Sequence, residues 1–192
     1  VAAIILLVDS VLFVIAAFMP VSRVFVEPSP AAKLEIITSN RAAWSASQLL
    51  FGLGASIAAI GLGFVAYHLR GTPGAVWIHI GPAAVILGAV FWDGHVYLRA
   101  VDPEGSVEGR LIGWLFAAYA LLTQFGLLAF GVAYLQAGYP AWLGGVTVGG
   151  AVIFFIVYLV FKDIPPFVYY ILTFVAGIRL MQRGAWLDTV LF

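Results

Sequence analysis

Asp9 lies in a run of apolar side chains, and no other charged side chain occurs between Val1 and Pro20. It stands about eleven residues before Pro20, hence ~16 Å from that end of a helix, near the centre of a bilayer. An ionised carboxylate there costs at least ~2.5 kcal/mol even on the most lenient insertion scale, so Asp9 is expected to face other helices. Two chemistries fit. One is a proton or cation relay, or a ligand contact; the other is a neutral carboxyl group hydrogen-bonded to Ser10, Gln124 or another interior polar group. Gln124 is the second intramembrane polar candidate, and both it and Gln48 suit inter-helix hydrogen bonding.

A second constellation is Trp92-Asp93-Gly94-His95. On a continuous helix Asp93 lies over Tyr97, and His95 over Trp92 and Arg99. Asp93, His95 and Asp163 are expected on one membrane side, where they would rim a pocket with an acid–base pair. The plainer alternative is a polar belt finishing a helix. His68 and His79 flank the turn Gly71-Thr72-Pro73-Gly74 and are weak candidates for metal or haem iron, against a reading as interfacial histidines. His79 and His95 lie ~24 Å apart along one helix and cannot share a site. Lys162-Asp163 reads as a local charge pair before Pro165-Pro166.

No cysteine is present, which excludes disulfides, thiolate metal sites and cysteine nucleophiles. A Gly-rich phosphate loop, an HExxH helix and a GxSxG elbow are also missing from the sequence. No lysine falls inside the last apolar segment, which argues against a retinal-bearing rhodopsin. No catalytic residue is therefore assigned and an enzymatic role is disfavoured. No cofactor is predicted, and a haem or pigment rests on the His68–His79 pair alone.

The elements that must position these residues follow from composition. Hydrophobic residues make up 64% of the chain and charged residues 9%, against about 25% charged in a soluble domain. The reading is an all-α, polytopic transmembrane bundle of about six spans in a single membrane domain. The spans fall near 1–20, 44–69, 74–98, 111–136, 141–161 and 165–183. The first is read as a span, not a signal peptide, because its apolar run is long and lacks a basic start. After it, Ser29-Pro30 predicts an N-cap with proline at the first helical position, and Lys33, Glu35 and Arg41 mix with Leu34, Ile36 and Ile37. That pattern predicts a short amphipathic helix on the membrane surface. Trp44, Trp77, Trp92, Trp114, Trp142 and Trp186 fall near span ends, as interfacial indoles do. Formal charge is zero with scattered basic residues, so no nucleic-acid partner is implied.

Small residues mark expected helix contacts: Gly52, Ser56, Ala59, Gly63 and Ala66 form a stripe, and Gly145 and Gly149 a GxxxG pair. Val65-Ala66-Tyr67, Gly71 and Pro73 recur at one offset as Val132-Ala133-Tyr134, Gly138 and Pro140, a candidate parallel repeat. Arg23, Lys33, Arg41, Arg99, Arg110 and Lys162 share one side, and Arg70, Arg179 and Arg183 the other. Acidic residues crowd the first side too, so orientation stays open.

The run Glu27-Pro28-Ser29-Pro30-Ala31-Ala32-Lys33, then Asn40-Arg41-Ala42-Ala43-Trp44 leading to Gln48-Leu49-Leu50-Phe51-Gly52-Leu53-Gly54, carries a resemblance. So do Pro140-Ala141-Trp142-Leu143-Gly144 and Phe161-Lys162-Asp163-Ile164-Pro165-Pro166-Phe167-Val168-Tyr169-Tyr170. Together they resemble a group of uncharacterised six-span prokaryotic membrane proteins, a domain of unknown function. The resemblance implies a prokaryotic plasma membrane, both ends inside and the surface helix outside. It brings no catalytic residues. Three classes remain: a non-enzymatic accessory or structural subunit or lipid-binding bundle, a small proton-coupled carrier using Asp9, and a membrane redox subunit. Membrane lipid and other membrane subunits are the expected partners.

Overall fold

A computed structural model describes residues 1–108, 110–161 and 167–190, with side chains described outside 106–110, 162–168 and 183–192. Every regular element among them is helical: α1 (Ala2–Ala17), a 3-10 turn (Pro20–Phe25), α2 (Pro30–Ser39), α3 (Arg41–Leu69), α4 (Ala75–Val101), α5 (Pro103–Glu108), α6 (Arg110–Gln136), α7 (Ala141–Phe161) and α8 (Phe167–Val190). Four helices are long and apolar enough to cross a membrane: α3, α4, α6 from Leu111, and α7. At 16 residues α1 falls short of that length, and α8 is not among the four. Among the described residues four of the expected six or so spans meet that length and composition, and α1 and α8 pack beside them.

Local chemistry sets the ends. Ser29 Oγ accepts the Ala32 N–H at 3.4 Å, with Pro30 at the first helical position, which starts α2 where the sequence predicts. Gly138, at φ 74°, ends α6. Its left-handed backbone lets the Tyr139 N–H reach back to the Tyr134 carbonyl at 3.1 Å, satisfying a carbonyl the helix leaves over. The polar segment after α4 holds α5, opened by Asp102, whose carboxylate accepts the Gly105 N–H at 3.0 Å.

In space the long helices form a ring in the order α8, α1, α3, α4, α6, α7, and the α7–α8 seam is the slightest of its contacts. Glycines permit two of the closest approaches. A Cβ on Gly126 would stand 2.9 Å from the Gly81 carbonyl across α4 and α6, and one on Gly144 would stand 2.9 Å from the Gly131 carbonyl across α6 and α7. The predicted packing set is corrected on this point. Gly63, Gly145 and Gly149 meet nothing within 4 Å of a built Cβ, because these positions face outward from the ring. Gly52 does lie against α4, and Ala59 and Ala66 are buried.

The tryptophan belt is also corrected. Trp114 and Trp142 are exposed, but Trp44 and Trp92 are core residues. Each buries its ring and donates its indole N–H to a backbone carbonyl, Trp44 to Arg99 at 2.8 Å and Trp92 to Phe51 at 3.0 Å. A buried indole requires such a partner. The side chain of Trp186 lies outside the described residues.

Candidate functional site

Two carboxyl groups hold the polar chemistry of the bundle. Asp9 is fully buried on the inner face of α1. Ser10 Oγ stands 2.7 Å from Asp9 Oδ1, 3.0 Å from the Leu6 carbonyl and 3.1 Å from the Tyr170 carbonyl. One hydroxyl proton serves only one of these acceptors at a time. Thr173 on α8 faces the same carboxyl group, and its own proton goes to the Tyr170 carbonyl at 3.0 Å. Asp9 Oδ2 is left without a hydrogen-bond partner. The position is built by the helices around it: Phe13 stacks on Tyr170 at 3.7 Å and fits because Gly54 on α3 has no side chain to meet it.

Beyond this layer Tyr119 and Tyr170 join their hydroxyls at 3.1 Å. They border a central cavity of about 20 Å³ with Ala58, Val85, Thr123 and Thr173, roughly the space of one water. Gln124 is buried nearby in sequence to Thr123, but neither of its amide atoms has a partner. The structure therefore does not join it to Asp9, and the hydroxyls of Ser10 and Thr173 stand there instead.

Asp93 is placed differently. Its Oδ2 accepts the Ser56 hydroxyl at 2.8 Å across α3 and α4, while Oδ1 has no partner. Oδ1 would lie 3.2 Å from a Cβ on Gly52, so the missing side chain is what lets the carboxylate sit against α3. Gln48, one turn away and buried, directs Nε2 to Ser47 at 3.2 Å and leaves Oε1 unpartnered. These groups line an open groove of about 390 Å³ with Val96 and Tyr97. The groove opens toward the end of the bundle that carries the 3-10 turn, α2 and α5.

The expected acid–base pair of Asp93 and His95 does not form. Two positions apart on a helix, the side chains point about 160° apart. His95 turns to α6, stacking on Trp92 at 5.1 Å and placing Nδ1 3.1 Å from the Ile112 carbonyl, which puts its proton on Nδ1. Asp163, Lys162 and the expected start of the last span at 165 lie outside the described residues. His68 and His79 are both exposed, His68 lying edge-on to Tyr67. Among the described residues no group of three or more histidines and acids is placed to hold a metal ion.

Sequence reasoning missed Thr173, Tyr170 and Tyr119 as partners of the Asp9 region, and Ser56 as a hydrogen-bond donor within a stripe of small residues. The signal available was the i, i+3 spacing of Tyr170 and Thr173 in an otherwise apolar helix.

No family model, no curated protein and no solved structure matches this chain. The resemblance to six-span proteins thus adds no residue or role to the site, which stands on its own geometry.

Proposed function

We propose that the chain is a non-enzymatic integral membrane protein that binds lipid, with the groove between α3 and α4 as its lipid site. A prokaryotic plasma membrane is the setting the reading assumes. The observation that carries it is the pairing of two unpartnered acceptors, Asp93 Oδ1 and Gln48 Oε1, with an open apolar groove. Buried acceptors without donors are costly, about 1–3 kcal/mol each. A lipid headgroup entering from the side would supply the donors while its chains cover the apolar walls. An accessory subunit of a larger assembly fits the same reading, with the outward faces of α7 as contact surface.

The test is native mass spectrometry of the purified protein in mild detergent. Retained lipid should drop sharply in Gly52→Leu, which fills the groove beside Asp93. Equal retention in the variant and the parent would end the reading.

A second reading, a proton-coupled carrier, is favoured by Asp9 alone. The carboxyl group is buried and keeps an oxygen with no partner, and an intramembrane carboxyl group is a candidate proton relay. Proton-driven flux into vesicles that vanishes in Asp9→Asn, with folding unchanged, would support it; flux indifferent to that change would remove it.

A further inference from the structure

We infer that the occupant of the α3–α4 groove is a phospholipid with a primary ammonium head, its N–H groups held by Asp93 Oδ1 and Gln48 Oε1. This rests on the reading of the groove as a lipid site and specifies the headgroup.

The argument is one of donors and charge. The free positions at the groove's inner end are acceptors: the Ser56 proton is spent on Asp93 Oδ2, and Gln48 Nε2 is turned to Ser47. Asp93 Oδ1 and Gln48 Oε1 remain, both buried and without a partner. A primary ammonium brings three N–H donors and a positive charge to that pair. A trimethylated ammonium brings the charge without any N–H. A glycerol head brings hydroxyl donors, but the lipid carrying it is anionic and would meet an uncompensated carboxylate.

Charge at the groove's mouth completes the match. Ala100 lines the outer end of the groove, and Arg41 Nη2 donates to the Ala100 carbonyl at 2.8 Å and to that of Val101 at 3.1 Å. The guanidinium is exposed and can offer its other N–H groups to an anion. The sequence of charges from outside inward is therefore positive, then negative. An aminophospholipid with its phosphate at the mouth and its ammonium folded inward presents the complementary order.

Depth is consistent with this. Asp93 lies ~12 Å from the Val101 end of α4 and Gln48 ~10 Å from the start of α3. Helices of 29 and 27 residues are ~40 Å long, against ~30 Å of hydrocarbon. The two acceptors thus stand just below headgroup level on a bundle centred in the bilayer.

The experiment places the intact protein in nanodiscs of phosphatidylcholine doped with phosphatidylethanolamine, its N-methylated forms or phosphatidylglycerol. Retained lipid is read by native mass spectrometry. Because the chain has no cysteine, Tyr97→Cys carrying an environment-sensitive dye reports occupancy at the groove's exposed edge without touching either acceptor. The expected result is about tenfold preference for the primary amine over the choline head, falling stepwise with each methyl group. Asp93→Asn should reduce it to about twofold or less, with thermal stability unchanged. Groove-dependent retention without headgroup preference would overturn the ammonium assignment and leave the lipid site standing. Retention unaffected by Gly52→Leu and a silent dye would overturn both. Preference for phosphatidylglycerol, or displacement of the dye signal by soluble ethanolamine with no lipid retained, would each overturn the proposal as well.

Discussion

Asp9 and Asp93 are the same side chain on two apolar helices, and the bundle treats them in opposite ways. Around Asp9 the ring is closed. α1, α3 and α8 leave no exposed surface on the residue, and its neighbours are two hydroxyls and the Phe13–Tyr170 stack. Around Asp93 the walls stop short, because Gly52 and Ser56 are too small to fill the gap between α3 and α4. Both carboxyl groups keep one buried oxygen without a partner, but only the second belongs to a residue that borders an open groove. The difference lies in the size of the residues opposite, not in the acid itself. Enclosure makes a stored polar group; a gap makes a binding site.

That contrast is most strongly tested by forcing a permanent charge on each site. Asp9→Arg should abolish folded protein, since an unpaired buried charge costs several kcal/mol and no acid stands by to pair it. Asp93→Arg, free to reach out of the groove, should fold and lose only lipid. Recovery by size-exclusion chromatography distinguishes the two. Next in size is the pair of neighbouring glycines on α3. Gly54→Ala presses on Phe13 and should cost about 1–3 kcal/mol as overpacking, measured as a lowered Tm. Gly52→Ala should change stability by under ~0.5 kcal/mol and reduce lipid retention. Smaller again are the hydroxyls. Thr173→Val should cost about 1–2 kcal/mol by removing the buried hydroxyl that bonds the Tyr170 carbonyl beside Asp9, whereas Ser56→Ala, at the open site, should cost under half of that. The smallest effect is expected for Asp9→Asn. A neutral isostere should hold stability within about 1 kcal/mol of the parent if Asp9 is itself neutral; a large drop in Tm would mean that the core stabilises a charge.

Much of this architecture was legible in the residues. The apolar runs and their Gly-Pro reversals predict α1, α3, α4, α6 and α7 to within a few positions, while α8 runs seven residues past the expected end of the last span, and Ser29-Pro30 predicts the start of α2. The fate of the tryptophans was not legible. Trp44 and Trp92 lie near helix ends just as Trp114 and Trp142 do, and only the carbonyls of Arg99 and Phe51 opposite them decide that they turn inward. The glycines show the same limit. Gly145 and Gly149 have the spacing of a packing pair, but α7 presents Gly144 to α6 and leaves those two without a neighbour within 4 Å. For the candidate site, the depth of Asp9 follows from its surroundings in sequence, whereas its partners lie on α8 and depend on how the ring closes. His95 and Asp93 look like a pair because they are close in sequence, and helical geometry separates them.

The hydrogen bond from Ser10 to the Tyr170 carbonyl spans a sequence separation of 160 residues. Its consequence concerns time. A ribosome adding about 5–20 residues per second releases α1 roughly 8–30 s before α8 exists to receive it. For that interval the carboxyl group of Asp9 has only its own helix, α3 and the insertion machinery for company. α1 is therefore made well before it is finished, and a chain stalled or truncated before α8 would present an acidic, unclosed bundle to the quality-control proteases of the membrane.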